Sequence, residues 1–188
     1  MSEDPLFPTI LAVLTFTSLG GHSLRITGGQ KAVSVFPGKN AEGDMNLLPS
    51  PQEEGPDNAI SWPGEYDVAG ITVRGIGHGE GQQVSYLIED DGTRCAFPCS
   101  PLLEWSEEDI ERLGDVHVLA LPAENSKVVQ KLLDEVDPRV LLLVPGKDGK
   151  LDSDVLKVCG AVGKEQVSEY KLKGSLPAEG REVVVFAS

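Results

Sequence analysis

Three histidines and three cysteines are the side chains of this chain best suited to hold a metal ion or to attack a substrate. They are His22, His78, His117, Cys95, Cys99 and Cys159. No two histidines show the HxH spacing of a common zinc motif. Cys95 and Cys99 are four residues apart, unlike the CxxC pairs of zinc knuckles and redox helices. The spacing alone therefore predicts neither a metal site nor a reactive thiol.

Two glycine-rich segments raise the question of phosphate binding. GIGHGEG, around His78, contains the start of a GxGxxG motif, but a strand pattern follows it where that motif needs a helix. PGKDGK, from Pro145 to Lys150, lacks the P-loop pattern. We interpret the first as a hairpin turn and the second as a turn that carries two lysines.

Composition limits the partners and the location. With 16 Lys+Arg against 30 Asp+Glu, the chain has a formal net charge of -14, which would repel a nucleic-acid backbone. No apolar run approaches the roughly 18 to 20 residues that span a bilayer. The first residues lack the basic segment of a signal peptide, and three cysteines suit a reducing compartment. We therefore predict a cytoplasmic protein with no nucleic-acid or membrane partner.

The hydrophobic pattern predicts strands first and a mixed strand and helix region later. A helix is expected to begin at Ser106 and to end at Gly114, and a strand, helix, strand unit follows it, as in layered α/β sheets. Predicted strands are Thr9 to Phe16, Ser23 to Thr27, Ala32 to Phe36, Ile71 to Ile76, Val84 to Glu89, Arg94 to Phe97, Val116 to Leu121, Val140 to Val144 and Glu182 to Phe186, and the other predicted helices are Ser126 to Val136 and Leu156 to Val162.

Two motifs resemble one known family. SLGGHSLRI, from Ser18 to Ile26, is similar to the first hairpin of small metallo-β-lactamase-fold hydrolases, and WPGEYDVAGITVRGI resembles their Gly-Pro-Gly-Glu-Tyr segment. The order of later segments agrees as well. The resemblance implies a truncated α/β four-layer αββα sandwich of metallo-β-lactamase type. It would form one domain over residues 1–188, with an irregular loop at about 37–59.

The resemblance also implies a dinuclear metal site, and its ligands are missing here. The family's HxHxDH motif would fall between Phe36 and Ile60, where the chain has no histidine. The metal-bridging aspartate would fall near Cys99, and the last metal histidine near Pro145. We therefore predict no cofactor and no metal. The predicted function is that of a catalytically degenerate pseudoenzyme, a protein-binding or assembly subunit able to associate with itself.

Two alternatives stay open at this stage. One is a hydrolase with a rebuilt site around His22, His78 and Cys99, and the other is a small-ligand sensor that uses the same vestigial cleft. The predicted partner is another protein or a second copy of the chain, and the sequence does not identify a small molecule.

Two further segments receive specific predictions. Leu102, Leu103 and Trp105 form the candidate interaction patch, although they could instead cap the core. Pro63, Gly64, Glu65 and Tyr66 are predicted to form a structural corner. There Pro63 fixes a torsion, Gly64 permits a bend, Glu65 accepts backbone N–H groups and Tyr66 packs its ring.

Overall fold

A computed structural model describes residues 13–29, 31–39 and 42–188. Within them the chain forms fourteen strands and three helices. The strands are β1 (Leu14–Gly20), β2 (Ser23–Thr27), β3 (Val33–Val35), β4 (Met45–Leu47), β5 (Ala59–Ile60), β6 (Gly64–Val68), β7 (Ile71–His78), β8 (Gln83–Asp90), β9 (Thr93–Phe97), β10 (Val118–Pro122), β11 (Val140–Val144), β12 (Gln166–Val167), β13 (Glu169–Leu172) and β14 (Glu182–Phe186), and the helices are α1 (Glu107–Leu113), α2 (Ser126–Val136) and α3 (Ser153–Val158).

Two sheets pack face to face. The first has the strand order β13-β1-β2-β3-β4-β5, and the second has the order β12-β14-β11-β10-β9-β8-β7-β6. Side chains alternate between the faces of a strand. In β11, Val140, Leu142 and Val144 therefore enter the core between the sheets, while Leu141 and Leu143 pack with the helices. One apolar run thus serves two layers, which explains why β11 is hydrophobic at every position.

The predicted sandwich is confirmed in its two sheets and its mixed α/β character. All three helices contribute buried side chains to the cluster on the outer face of the second sheet. In the described part of the chain no helix covers the outer face of the first sheet, so the sandwich is truncated as the resemblance implied. No helix in the ranges given above is long and apolar enough to cross a membrane.

Several predicted elements have the expected bounds, including β2, α2, β11 and β14. Helix α1 begins as predicted, because the Ser106 side chain accepts a hydrogen bond from the Asp109 backbone N–H, and Gly114 ends it with a φ of 61°. Helix α3 lies earlier than predicted. The Asp152 side chain caps the N–H groups of Asp154 and Val155, which starts this helix before Leu156.

The segment predicted as an irregular loop at about 37–59 contains structure. Strand β4 is buried at all three positions and runs parallel to β3, and β5 pairs with β4 in turn. A strand of two or three residues is too short to show the alternation from which strands are predicted. Part of the first predicted strand, residues 9–12, lies outside the described residues, and β1 continues beyond Phe16 to Gly20.

One short segment near the carboxyl end belongs to both sheets. Strand β12 pairs in parallel with β14 in the second sheet, and β13 pairs antiparallel with β1 in the first. Only Ser168 separates β12 from β13, and its carbonyl accepts the Ser18 N–H at 2.9 Å. Residues 166–172 therefore join the two sheets at one end of the sandwich.

Candidate functional site

Three parallel strands of the second sheet end together, and the loops after them bring polar side chains to one edge. Strands β9, β10 and β11 run parallel. Cys99 and Ser100 follow β9, Glu124 follows β10 and Lys147 follows β11. The edge outside the carboxyl ends of parallel strands is where α/β proteins most often bind ligands. We call these four residues, together with His22 from the turn between β1 and β2, the strand-end site.

A hydrogen-bond network built on Glu124 holds the three loops together. The Ser100 hydroxyl donates to Glu124 Oε1 at 2.8 Å and accepts the Lys147 backbone N–H at 2.9 Å. The Leu102 backbone N–H donates to the same Glu124 oxygen at 2.6 Å. A Cβ on Gly146 would lie 2.7 Å from Glu124 Oε2, so any other residue here would force this hydrogen-bonded carboxylate to shift. The carboxylate therefore fixes the position of each loop relative to the other two.

His22 contributes an imidazole that is neutral at pH 7. Its ring centroid lies 5.2 Å from that of Phe36, and its Nε2 is buried without a hydrogen-bond partner among the described residues. Burial lowers the pKa of His22 to about 4, and the positive charge of Lys147 adds to the effect. Phe36 itself has a φ of 52°, a backbone conformation that is strained for an aromatic residue. A buried ring nitrogen without a partner calls for a bound water or ligand group.

Cys99 is part of the same edge, but its thiol is protonated. The Cys99 backbone N–H donates to Ser85 Oγ at 2.9 Å, and the side chain is 1% exposed. Burial raises the pKa of the Cys99 thiol to about 12, against smaller opposing effects from a backbone hydrogen bond of Ser100 and from the Lys147 charge. The thiolate is the reactive form of cysteine. Cys99 therefore lines the site without being a nucleophile in this arrangement.

His78 lies apart from His22 and Cys99. Its ring centroid is 4.5 Å from that of Trp105, which belongs to the cluster under the helices, whereas Cys99 belongs to the core between the sheets. Burial lowers the pKa of His78, and Asp109 partly opposes this shift. The three residues that the sequence grouped in one vestigial cleft are therefore separated by the second sheet, with His22 and Cys99 on the side of the first sheet and His78 on the side of the helices. The structure brings His22 and Cys99 to Lys147 and leaves His78 on the helix side.

The candidate interaction patch is largely internal. Leu102 and Trp105 are buried, at 4% and 3% exposure, and they pack with the helices. Of these three residues, Leu103 alone presents its apolar side chain to solvent, at 38% exposure. The patch is corrected accordingly: the loop after β9 folds back over the second sheet, so two of its three apolar residues cap the core.

The predicted corner at Pro63 to Tyr66 leads into β6. Gly64 has a φ of 151°, and the Tyr66 hydroxyl donates to the Trp62 carbonyl at 2.9 Å, which closes the bend. Glu65 does not accept backbone N–H groups as predicted. Instead it pairs with Arg74 on β7 at 2.7 Å, because the two residues are direct neighbours in the antiparallel register.

The remaining histidine and cysteines are not part of the strand-end site. His117 precedes β10 and accepts the Arg94 backbone N–H at Nδ1, at 3.0 Å. Cys95 is buried and Cys159 is half-buried, and both are free thiols. Burial raises the pKa of Cys95 to about 12 and that of Cys159 to about 11. Both thiols are therefore protonated near neutral pH.

The side chains present do not fit a dinuclear metal centre. The thiol of Cys99 stands where the resemblance implies the bridging aspartate and Pro145 where it implies the last histidine, and only the thiol could bind a metal ion. Across residues 13–29, 31–39 and 42–188, no group of three or more His, Cys, Asp or Glu is arranged to hold one. The polar groups that do meet at this edge are Ser100, Glu124 and Lys147.

Sequence reasoning missed these three residues. Glu124 is the second residue after the buried strand β10, and Lys147 is the third after β11, in the segment interpreted only as a turn. A polar residue within three positions of the end of each of two neighbouring parallel strands is the signal that could have found them.

Comparison with known proteins identifies the fold. No family model and no curated protein matches the chain. A protein from Thermotoga maritima, provisionally named a zinc-dependent hydrolase of the metallo-β-lactamase superfamily, is similar in structure with a TM-score of 0.74 and 18% identity, over 93% of this chain and 98% of that one. The metallo-β-lactamase fold protein YhfI from Bacillus subtilis has a TM-score of 0.62 and 10% identity, over 95% of this chain and 98% of its own. A metallo hydrolase from Ignicoccus hospitalis has a TM-score of 0.60 and 11% identity, over 88% of this chain and all of that one.

These comparisons correct the predicted function. The sequence led us to expect a catalytically degenerate assembly subunit, and that prediction is wrong, because the similar structures from Thermotoga maritima and Ignicoccus hospitalis are named as hydrolases. The missing ligands were given too much weight, since they concern one kind of site and not every site that this edge can carry. The arrangement of sheets, helices and loops shows that the chain has the metallo-β-lactamase fold.

Proposed function

We propose that the protein is a hydrolase that cleaves a small anionic ester at the strand-end site. The observation that carries the proposal is His22 Nε2, a buried ring nitrogen without a partner among the described residues, beside the cation Lys147. The hydrolase names of two similar structures support the reaction class. Three free cysteines support a cytoplasmic location as part of the same proposal.

The residues divide the chemistry among themselves. Neutral His22 accepts a proton at Nε2 from a water molecule, and the resulting hydroxide attacks the ester. The attack gives a tetrahedral intermediate, and the ester bond breaks as this intermediate collapses, with His22 returning its proton to the departing alcohol. Lys147 pairs with the anionic group of the substrate and holds the ester within reach of the water that His22 activates. Ser100 and Glu124 position the Lys147 loop through the Lys147 backbone N–H and do not react.

The charge of the substrate follows from the smaller of the two causes that lower the pKa of His22, which are burial and the positive charge of Lys147. Lys147 contributes to the low pKa of His22, so an anion that pairs with Lys147 would raise that pKa toward its usual value. A base with a pKa near 4 is weak, and a base works best when its pKa lies near the working pH. An anionic substrate would therefore strengthen the base that attacks it. The net charge of -14 also makes this local cation necessary for holding an anion.

The test compares an anionic and a neutral ester on protein treated with a chelator. Mono-4-nitrophenyl terephthalate and 4-nitrophenyl benzoate release the same coloured product, and the rigid ring keeps the carboxylate of the first away from its own ester, so their kcat/KM values can be compared directly. We expect the anionic ester to react about ten-fold faster, which corresponds to about 1.4 kcal/mol. Lys147→Met should remove this preference. Lys150→Met, in the same turn, changes the charge by the same amount and should keep it.

His22→Gln tests the base. The amide keeps a polar group at this position but cannot take a proton in this range, so we expect kcat to fall by about 10² or more. Equal rates in His22→Gln and the unaltered protein would overturn the proposal. So would hydrolysis that requires added zinc and is unaffected by both substitutions.

A further inference from the structure

A groove at the opposite edge of the second sheet has the features of a binding site. It lies at the amino-terminal ends of β10 and β11, under the connection between β13 and β14, and encloses about 580 Å³. Pockets for small ligands measure about 300 to 1,000 Å³. We call this space the basal groove. Its lining includes Asp115, His117, Val136, Arg139, Leu176 and Pro177. Glu124 lies seven residues beyond His117, on the order of 20 Å at the rise of a strand.

Two donors in the groove are not committed elsewhere. Arg139 is exposed, and no carboxylate of the described residues lies within 4.0 Å of its guanidinium group. Its neighbour Asp137 is already paired with Arg181 at 2.9 Å. His117 accepts the Arg94 N–H at Nδ1, so the neutral ring carries its proton on Nε2 and presents an N–H donor. The groove thus offers a guanidinium group and an imidazole N–H.

The remaining walls are apolar and supported from behind. Val136 packs against the cluster under the helices, and Leu176 packs against the core between the sheets. Pro177, which follows Leu176 in the connection between β13 and β14, adds a rigid ring to the lining. Apolar surface backed by the core keeps its shape, so a ligand does not have to order it on binding.

Two acidic residues limit the charge of the ligand. Asp115 and Asp137 both line the groove, so a doubly charged group such as phosphate would be repelled more strongly than a singly charged one. A single carboxylate can accept both N–H groups of a guanidinium and leave these aspartates in water. We propose that the basal groove binds a small monocarboxylate with an apolar body, separately from the strand-end site.

Titration of the full chain followed by two-dimensional NMR tests this proposal. Hexanoate is the probe, hexan-1-ol is its neutral counterpart, and inorganic phosphate is the doubly charged comparison. We expect hexanoate to bind at least about ten-fold more tightly than either. The amide shifts should be confined to residues 115–117, 136–139 and 174–178. The absence of any amide shift at about 20 mM hexanoate would overturn the proposal, because nearly all specific binding has a dissociation constant below this concentration.

Substitutions decide which group holds the carboxylate. Arg139→Gln should weaken hexanoate binding about ten-fold, since it removes the charge-assisted hydrogen bonds to the carboxylate. Lys127→Gln removes the same charge from an exposed position on α2 and should leave binding unchanged. Unchanged affinity in Arg139→Gln, tighter binding of phosphate, or shifts centred on the strand-end site would each overturn the assignment.

Discussion

The Tyr86 hydroxyl offers the sharpest test of how the two sheets support the strand-end site. Tyr86 is 1% exposed on β8, and its hydroxyl lies 2.6 Å from the Leu48 carbonyl and 2.9 Å from the Ile60 carbonyl, both in the first sheet region. A phenol has one proton, and the shorter distance assigns it to Leu48. The Ile60 carbonyl also accepts the Leu48 N–H, so it keeps a partner when the hydroxyl is removed. The Leu48 carbonyl loses the hydrogen bond that Tyr86 donates to it.

Tyr86→Phe should lower the free energy of unfolding by about 2 kcal/mol. The lost hydrogen bond accounts for about 0.5 to 1.5 kcal/mol, and a buried carbonyl left without a partner costs about 1 to 3 kcal/mol. For a chain of this length, this corresponds to a fall in Tm of about 4 to 8 °C. Urea denaturation followed by circular dichroism measures the change, with an unaltered m-value showing that only stability has moved.

Tyr170→Phe is the matched control. Its hydroxyl donates to Glu182 at 2.8 Å on the exposed side of the molecule, where water can replace it. We expect a loss below about 1 kcal/mol. Equal stability of Tyr86→Phe and the unaltered chain would refute the reasoning, and so would equal losses in the two variants, because burial would then not decide the cost.

Three further predictions concern the site itself. Native protein at pH 8 should resist alkylation at Cys99 and react only slowly at half-buried Cys159, and unfolding should expose all three thiols; mass spectrometry counts them. Gly146→Ala places a Cβ 2.7 Å from the carboxylate of the site and should cost about 1 to 3 kcal/mol, whereas Gly38→Ala, with open space, should be nearly neutral in the same urea assay. Burial gives His22 a pKa of about 4 in the fold, against about 6.5 in the unfolded chain, so the unfolded state binds more protons between these values. The stability that neutral His22 contributes to the fold is therefore fully present above pH 6.5 and is lost as the pH falls to 4. His22→Gln should reduce this loss by up to about 3 kcal/mol, and parallel pH curves of the two proteins would contradict the assignment.

The sequence predicted those parts of the fold that have long periodic patterns. Helix α2 shows its apolar stripe over three turns, and β11 is apolar throughout, so both could be read from residue types. Strands β4, β5 and β12 have two or three residues each, and their pairing depends on neighbours distant in the chain. Short strands of this kind are fixed by tertiary contacts and leave no local signal.

The candidate site was less predictable than the fold. His22 and Cys99 were identified from the motifs, but their proximity to Lys147 arises only because the β1–β2 turn and the loop after β11 meet across the two sheets. His78 shows the opposite error. It lies in a glycine-rich segment typical of a functional loop, yet the alternation along β7 turns its side chain toward Trp105 and the helices.

The segment that joins the sheets at Ser168 also governs the order in which the sandwich can be completed. Strands β1 to β5 emerge first during synthesis, but β1 cannot gain its second neighbour until β13 has been made. The second sheet is also incomplete until this part of the chain has been made, since β14 pairs with β11 and β12 is the edge strand beside β14. Contacts between residues about 150 positions apart must therefore form last, and such distant contacts slow folding. The β1 edge consequently stays unpaired until β13 has been made, and an unpaired strand edge is a template for pairing with other chains.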